Sequence, residues 1–259
     1  MNIWIVNHYA LPPDNAGGTR HYNFARQLQQ RGHHVTIIAS NFNHFSHKNM
    51  TSAENIGKLD NTYDVPFIWI PVPAYQGNTI GRFWNMIKFC HQLLKNPVLR
   101  KLPAPDVMIG SSPHLFAALG AQRLASRFNV PFVLEVRDLW PESLVDLGRF
   151  THKHPLIKVM RFLESWLYKK ADRIISLLPN AHQYFIQRNV KPENILWIPN
   201  SVDTNGVPDH FATENPNNKF TVMYAGAHGV ANDLDTVLDA AKMLEKNRLS
   251  DKITICLMG

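Results

Sequence analysis

Short runs of apolar, often β-branched residues alternate along the chain with stretches whose apolar positions recur every three or four residues. Residues 3–7 read as a strand and 19–31 as a helix, with His21, Phe24, Ala25 and Leu28 at helical spacing, and 35–39 as the next strand. Gly32 stands where a helix C-terminus takes left-handed backbone. Such a βαβ unit implies a right-handed crossover and parallel pairing. The alternation resumes with strand 106–109, helix 114–128, strand 132–136, helix 156–170, strand 173–178, helix 181–188 and strand 195–198. Several of these strands are nearly all apolar, as expected when helices cover both faces of a sheet. Residues 41–61 are mostly polar and read as a long loop, and no repeat at solenoid spacing is visible.

Residues 205–219 break the pattern: Asn, Pro, Asp, Gly and Thr dominate, and no apolar period survives. A strand at 220–225, a helix at 234–246 and a strand at 253–258 then open a second βαβ unit. The fold class is therefore α/β, with a complete parallel-sheet domain at 1–204, a linker at 205–219 and the start of a second domain at 220–259. Two parallel strands do not complete a domain. The expectation is a truncated two-domain protein; the alternative is a short extension packed on the first domain.

Composition narrows this little. Of 259 residues, 45% are hydrophobic and 18% charged, an ordinary folded composition. With 27 Lys and Arg against 20 Asp and Glu, the formal charge of +7 favours an anionic partner without choosing one. Cys90 and Cys256 lie in apolar stretches and read as core thiols of a reducing compartment. No basic leader precedes an apolar run at the N-terminus, and no apolar run reaches the roughly 18 residues that span a bilayer. The expectation is a cytoplasmic protein, peripheral on the inner face of the cell membrane.

Chemistry concentrates where strands run into helices, since ligands of open α/β sheets bind beyond the C-terminal ends of the strands. In the first such loop, Gly17 and Gly18 permit close backbone approach, and the free N–H groups of the following helical turn favour an anion. Neither the dinucleotide fingerprint nor a P-loop is present. Residues 135–142 gather Glu135, Arg137, Asp138, Trp140 and Glu142 at and beyond an apolar strand. Asp138 suits a proton-accepting or orienting role and Arg137 a phosphate or a carboxylate, unless the pair simply pins the loop with Trp140 in the core. Ser112 and His114 follow another strand and point to the same crevice, with a serine helix cap as the alternative. Gly226, His228 and Gly229 line the corresponding turn of the second unit, ahead of Asp233 and Asp235. None of the 13 histidines falls in a metal-ligand pattern, so no metal is expected. Finally, Ile80, Phe83, Trp84, Ile87, Cys90 and Leu94 form one stripe of a helix, flanked by Arg82, Lys88, Lys95, Arg100 and Lys101. No acid occurs between Gln76 and Lys101. Such a helix can lie in an anionic membrane interface, with Phe83, Trp84, Ile87, Lys88 and Lys95 in contact; ordinary core packing is the competing account.

Taken together, the Gly17-Gly18 loop, the segment from Arg137 to Glu142, the junction from Pro199 to Asp203 and the opening from Tyr224 to Gly226 resemble the family 4 retaining glycosyltransferases. The likeness is greatest to bacterial enzymes of O-antigen, capsule and colanic-acid assembly, those that transfer N-acetyl-L-fucosamine among them. The resemblance implies a GT-B fold of two Rossmann-like domains, acceptor on the first and donor on the second. It implies a nucleoside-diphosphate sugar, typically a UDP-sugar, as donor substrate, no cofactor and no metal. The acceptor it implies is a polyprenyl-diphosphate-linked saccharide, and nucleic acid is not a partner. By the same resemblance, Gly17, Gly18, Gly226, His228 and Gly229 belong to the donor site, and Arg137 and Asp138 stand near the transferred sugar. Ser112, His114 and Trp140 fall on the acceptor side. Three departures stand out: Ser201 replaces a usual Gly, no Arg or Lys lies between Gly226 and Asp235, and the later acidic pair of the donor site is absent. The fragment is therefore expected to turn over weakly. A nucleotide-sugar epimerase of the same fold and a non-catalytic binding domain are the rival readings.

Overall fold

A computed structural model describes residues 1–15, 17–77, 80–148, 150–201 and 219–259. They form two compact units, Met1–Asp203 and Thr204–Gly259. Of the linker at 205–219, residues 205–218 lie outside the described residues.

The first unit is built on β1 (Asn2–Val6), β2 (His34–Ser40), β3 (Leu59–Asp60), β4 (Phe67–Ile70), β5 (Val107–Ser111), β6 (Phe132–Val136), β7 (Arg173–Ser176) and β8 (Ile195–Trp197). They lie in the order β3-β4-β2-β1-β5-β6-β7-β8, parallel throughout except for the β3–β4 pair. In the centre, Ile5 of β1 sits opposite Ile37 of β2 and Ile109 of β5. Alternate side chains of a strand face opposite sides of a sheet, and here both sides are dry. Ile3 and Ile5 join one core with Ile37, Phe67 and Trp69, while Trp4 and Val6 join the other with Ile38 and Ile68. This is why the central strands carry no polar alternation.

Helix α1 (Arg20–Gln30) closes the first core through Tyr22 and Ala25. Helices α2 (Ile80–Lys95), α3 (Leu115–Phe128) and α5 (Pro155–Lys170) close the second, while α4 (Glu142–Asp146) and α6 (His182–Ile186) are single short turns. Local chemistry sets the ends: α1 gives way to Gly32 at φ 84°, α3 stops at Asn129 in left-handed backbone, and α5 starts with His154 as cap and Pro155 in its first turn. Close packing of α3 depends on Gly110, where a Cβ would come within 2.7 Å of the Ala121 Cβ.

Two strands escape the sequence pattern. The apolar run Phe67–Ile70 is only four residues long between Pro66 and Pro71, too short to show a period, yet it pairs with β2. The two-residue β3 falls at the end of the stretch read as loop, which otherwise holds turns and a bridge between Phe42 and Asn49.

In the second unit, β9 (Phe220–Ala225) and β10 (Ile253–Met258) pair in parallel around α7 (Leu234–Lys246), at the bounds the pattern predicts. None of its described residues is buried. Among the described residues no helix is long and apolar enough to cross a membrane.

Candidate functional site

The sheet changes direction at β1. Strand β2 lies on one side of it and β5 on the other; the chain leaves β1 for α1, over one face, and β5 for α3, over the opposite face. Loops diverging from adjacent strand ends open a crevice, the usual ligand position in an open α/β sheet. Asn7, just past β1, spans it: its Nδ2 donates to Ser111 Oγ at 3.0 Å and to the Ser112 carbonyl at 2.9 Å.

Beneath this staple is a buried carboxylate. Glu135 of β6 accepts from Ser111 Oγ at 2.5 Å, lies 2.7 Å from His21 Nε2 and accepts from Arg20 Nε at 3.0 Å. Burial alone pushes its pKa up; the His21 ring, the Ser111 hydroxyl and the Arg20 guanidinium outweigh that and hold it well below the usual carboxylate range. Arg20 spends its other nitrogens on the Pro199 carbonyl at 2.6 Å and the Ile198 carbonyl at 2.9 Å. Ionised, bonded on every side and sealed from water, Glu135 works as a fastener.

A second cluster is far less satisfied. His8 and His114 are buried with their rings edge-on at 4.7 Å, and His8 also meets the rings of Tyr9 and Phe89 at 4.5 Å each. Arg82 of α2 reaches over the Tyr9 ring at 5.7 Å, and the Tyr75 hydroxyl lies 2.8 Å from His44 Nδ1. The His8 ring has the Asn85 side chain within reach, and the Tyr9 hydroxyl has Arg82 and Tyr75, all in poor hydrogen-bond geometry, while His114 Nε2 has no partner among the described residues. Burial, reinforced by the nearby Arg82 charge, lowers His114 to about 3, and burial with the His114 ring holds His8 well below its ordinary value. A neutral imidazole with a spare nitrogen can bond a hydroxyl group, and a buried polar atom left open in this way calls for a partner.

Arg137 follows β6 directly after Val136, on the side of the Glu135 cluster. Its backbone N–H donates to Ser112 Oγ at 2.8 Å, its side chain is half-buried, and Nε has no partner among the described residues. Burial lowers its pKa, opposed by Glu135. Next to it, Asp138 is exposed; partial desolvation by the surrounding loop raises its carboxyl, against the Leu139 N–H and the Arg137 charge. Trp140 is half-buried against the core, and Glu142 is pinned by Arg161 at 2.7 Å. The segment therefore divides: Glu135, Trp140 and Glu142 hold structure, while Arg137 keeps an unpaired Nε among the described residues and Asp138 an exposed carboxylate.

Gly18 has φ 52°, and a Cβ there would lie 2.6 Å from the Tyr9 carbonyl, so its first requirement is the folding of its own loop; Gly17, at φ 85°, lies against Phe45. Ser112 is buried, and the cap of α3 is His114, which accepts from Ala117 N at 3.3 Å, rather than a serine. In the second unit, the turn of Gly226, His228 and Gly229 closes on itself. Gly226 N–H donates to the Met258 carbonyl at 2.8 Å, and the Tyr224 hydroxyl and Asn232 amide both donate to the Ala227 carbonyl. On α2 the expected stripe splits. Cys90 is buried and Phe83 packs edge-on against Phe116, while Ile80 and Trp84 are exposed, Ile87 is half-exposed, Lys88 lies over the Trp84 ring and Lys95 is exposed. Arg82 turns toward Tyr9 instead of flanking that stripe. Among the described residues no group of three His, Cys, Asp or Glu is placed to hold a metal, and both cysteines are free thiols.

Sequence comparison identifies the architecture. Residues 15–201 match the Glycosyl transferase 4-like domain, and the chain belongs to that family. It is 24% identical over 189 residues to a protein of Escherichia coli (strain K12) named for a glycosyl transferase role in colanic acid biosynthesis, WcaI. That alignment takes in 67% of this chain and 46% of the relative, so the chain spans about half the relative's length. Among solved structures, sucrose-phosphate synthase from Thermosynechococcus elongatus superposes with a TM-score of 0.67 at 11% identity, covering 100% of this chain and 70% of that one. Anabaena HepE, solved in complex with UDP and glucose, gives 0.55 at 13% identity, covering 100% and 70%. The fold is GT-B type: one complete Rossmann-like domain and the first βαβ of a second.

Proposed function

We propose that this chain supplies the acceptor-side domain of a retaining glycosyltransferase of surface-polysaccharide assembly. The enzyme would move an N-acetylated amino or deoxyamino sugar from a UDP-sugar to a polyprenyl-diphosphate-linked saccharide. One observation carries the reading: near the switch point of the sheet, buried His114 keeps a ring nitrogen without a partner among the described residues, and Arg137, whose backbone is tied to the same loop through Ser112, keeps an unpaired Nε. A cation suits a diphosphate and the imidazole suits a sugar hydroxyl. Membership of a glycosyl transferase family supports transfer over epimerisation.

In this reading His8, His114 and Tyr9 orient the acceptor saccharide, and Ser112 acts by holding the backbone of Arg137. Asp138 steers the attacking hydroxyl, with Trp140 bracing its loop. Gly226, His228 and Gly229 of the second unit serve the donor diphosphate. The hydroxyl attacks the sugar C1 from the face that the nucleoside diphosphate leaves, so the C1–O bond to phosphate breaks as the new one forms on the same side, and the hydroxyl proton passes to the departing diphosphate. Orientation and charge neutralisation of the departing diphosphate are the protein's contribution. Helix α2, with Ile80, Trp84, Lys88 and Lys95, rests on the cytoplasmic face of an anionic membrane, where such an acceptor presents its headgroup.

Calorimetric titration of the chain with an undecaprenyl-diphosphate-linked saccharide tests the acceptor assignment. Binding is expected, weakened about tenfold or more by Arg137→Ala. With a UDP-sugar added, weak transfer is expected, and Asp138→Asn lowers it by about 10²–10⁴-fold. Release of an epimerised sugar nucleotide in the absence of acceptor would overturn the reading.

A further inference from the structure

One surface of the first unit has no exposed carboxylate on its helices. Helices α2, α3 and α5 lie side by side over the same core: Phe83 of α2 meets Phe116 of α3 at 5.4 Å, and Arg123 of α3 lies 5.1 Å over the Trp166 ring of α5. The three helices contain a single acid, Glu164. It faces inward, buried, and accepts from the hydroxyls of Tyr168 and Tyr184 at 2.8 Å each.

At about 100° per residue, the side of α5 opposite Ile157, Met160 and Glu164 presents Val159 and Phe162 among lysines. They are 63% and 74% exposed, although both are large and apolar. The side of α2 opposite Met86, Phe89 and Leu93 presents Ile80 at 88% and Trp84 at 50%. Between these ridges the outside of α3 offers Arg123 and Arg127, both exposed. Exposed aromatic and aliphatic side chains set among basic ones, without acids, complement a layer of phosphates over hydrocarbon. A peptide or a second copy of this chain would bring its own carboxylates to only some of these cations, whereas a lipid surface meets all of them at once.

We propose that α5 joins α2 in one docking face for an anionic lipid bilayer, with Val159 and Phe162 forming a second apolar ridge and the arginines of α3 at headgroup level between the two. The proposal rests on the membrane placement of α2 given above and extends it. A single helix can roll about its own axis on a membrane; two ridges flanking a basic furrow prevent that and fix the angle at which the crevice meets the surface.

Sedimentation of the chain with phosphatidylglycerol or phosphatidylcholine vesicles, at low and high salt, tests this. Binding is expected only to phosphatidylglycerol and is expected to weaken with salt. Phe162→Glu should lower the bound fraction about tenfold, as should Trp84→Glu, both with unchanged near-ultraviolet circular dichroism, while Phe162→Leu retains binding. If Phe162→Glu binds like the parent and Trp84→Glu does not, the second ridge is wrong and the α2 placement stands. Failure of the parent to bind either vesicle at low salt overturns both. A parent dimer that Phe162→Glu converts to monomer, with vesicle binding unaltered, assigns the ridge to self-association and also overturns the proposal. Sugar transfer, measured separately, is independent of all these outcomes.

Discussion

The two units of this chain obey the same sequence rule and end in opposite physical conditions. In each, an apolar strand leads through a glycine-bearing turn to an amphipathic helix and a parallel strand. In Met1–Asp203 such repeats surround β1, and Ile5, Val6, Ile37 and Ile38 lose all contact with water. In Thr204–Gly259 the described residues hold one such repeat: Phe220 is 70% exposed, and Leu238 and Met243 on α7 are open to solvent. Periodicity specifies which element forms and which face is apolar; only additional layers turn that face into a core. The hydrophobic contribution of each side chain therefore depends on its surroundings.

The largest test of this contrast is Glu135→Ala, which strands Arg20 and His21 in a dry interior. Breaking a buried, fully bonded ion pair costs about 3–5 kcal/mol. All six tryptophans lie in the first unit, so urea unfolding followed by tryptophan fluorescence reports that unit alone. A loss below about 1 kcal/mol would show that the network contributes little. Acid should come next. His8 and His114 have folded pKa values below the roughly 6.5 of an unfolded histidine. The stability they contribute is complete above that pH and is lost as pH falls below it, by about 1.4 kcal/mol per pH unit for each group. Depressed Glu135 adds a further loss below the ordinary carboxylate range, about pH 4. Unfolding midpoints measured from pH 7 to 5 should therefore decline, and His114→Gln should halve the slope; a flat profile would contradict the buried neutral pair.

Smaller still is Gly18→Ala, expected to cost the first unit about 2 kcal/mol because a left-handed residue would also press on the Tyr9 carbonyl. Thermal unfolding should show the loss, and wild-type stability would mean that this loop rearranges freely. The smallest effect belongs to Leu238→Ala in the second unit, within about 0.5 kcal/mol. Amide exchange over α7 should barely change; marked deprotection there would reveal a core around Leu238.

The elements were largely legible in advance. Strands 132–136, 220–225 and 253–258 and helix 234–246 have the predicted bounds. The failures lie in pairing. Glu135 stood in a conspicuous segment, but its partners are His21, 114 residues away, and Arg20, 115 away, and nothing local in the sequence names them. His21 showed only as a buried helix position, which it also is. The run Asn7-His8-Tyr9 directly after β1 was a usable signal, because polar aromatic residues at a strand's C-terminal end face the crevice. Arg82 belongs to the basic run along α2, but a count of charges carries no angle. It stands seven residues before Phe89, two helical turns away, and so shares the inward side.

The reach of Arg20 bears on how the chain is born. Its guanidinium holds Glu135 and the carbonyls of Ile198 and Pro199, the last of them 179 positions further along. A ribosome delivers β1 and α1 first, but β1 waits for β5, about a hundred residues later, for its second neighbour. The grip of Arg20 waits until residue 199 has emerged. Contacts of such separation are slow to form, and until they form the apolar edge of β1 has no cover. Nascent chains halted before residue 135 should then be protease-sensitive throughout, whereas in those extending beyond residue 201 the first unit should resist.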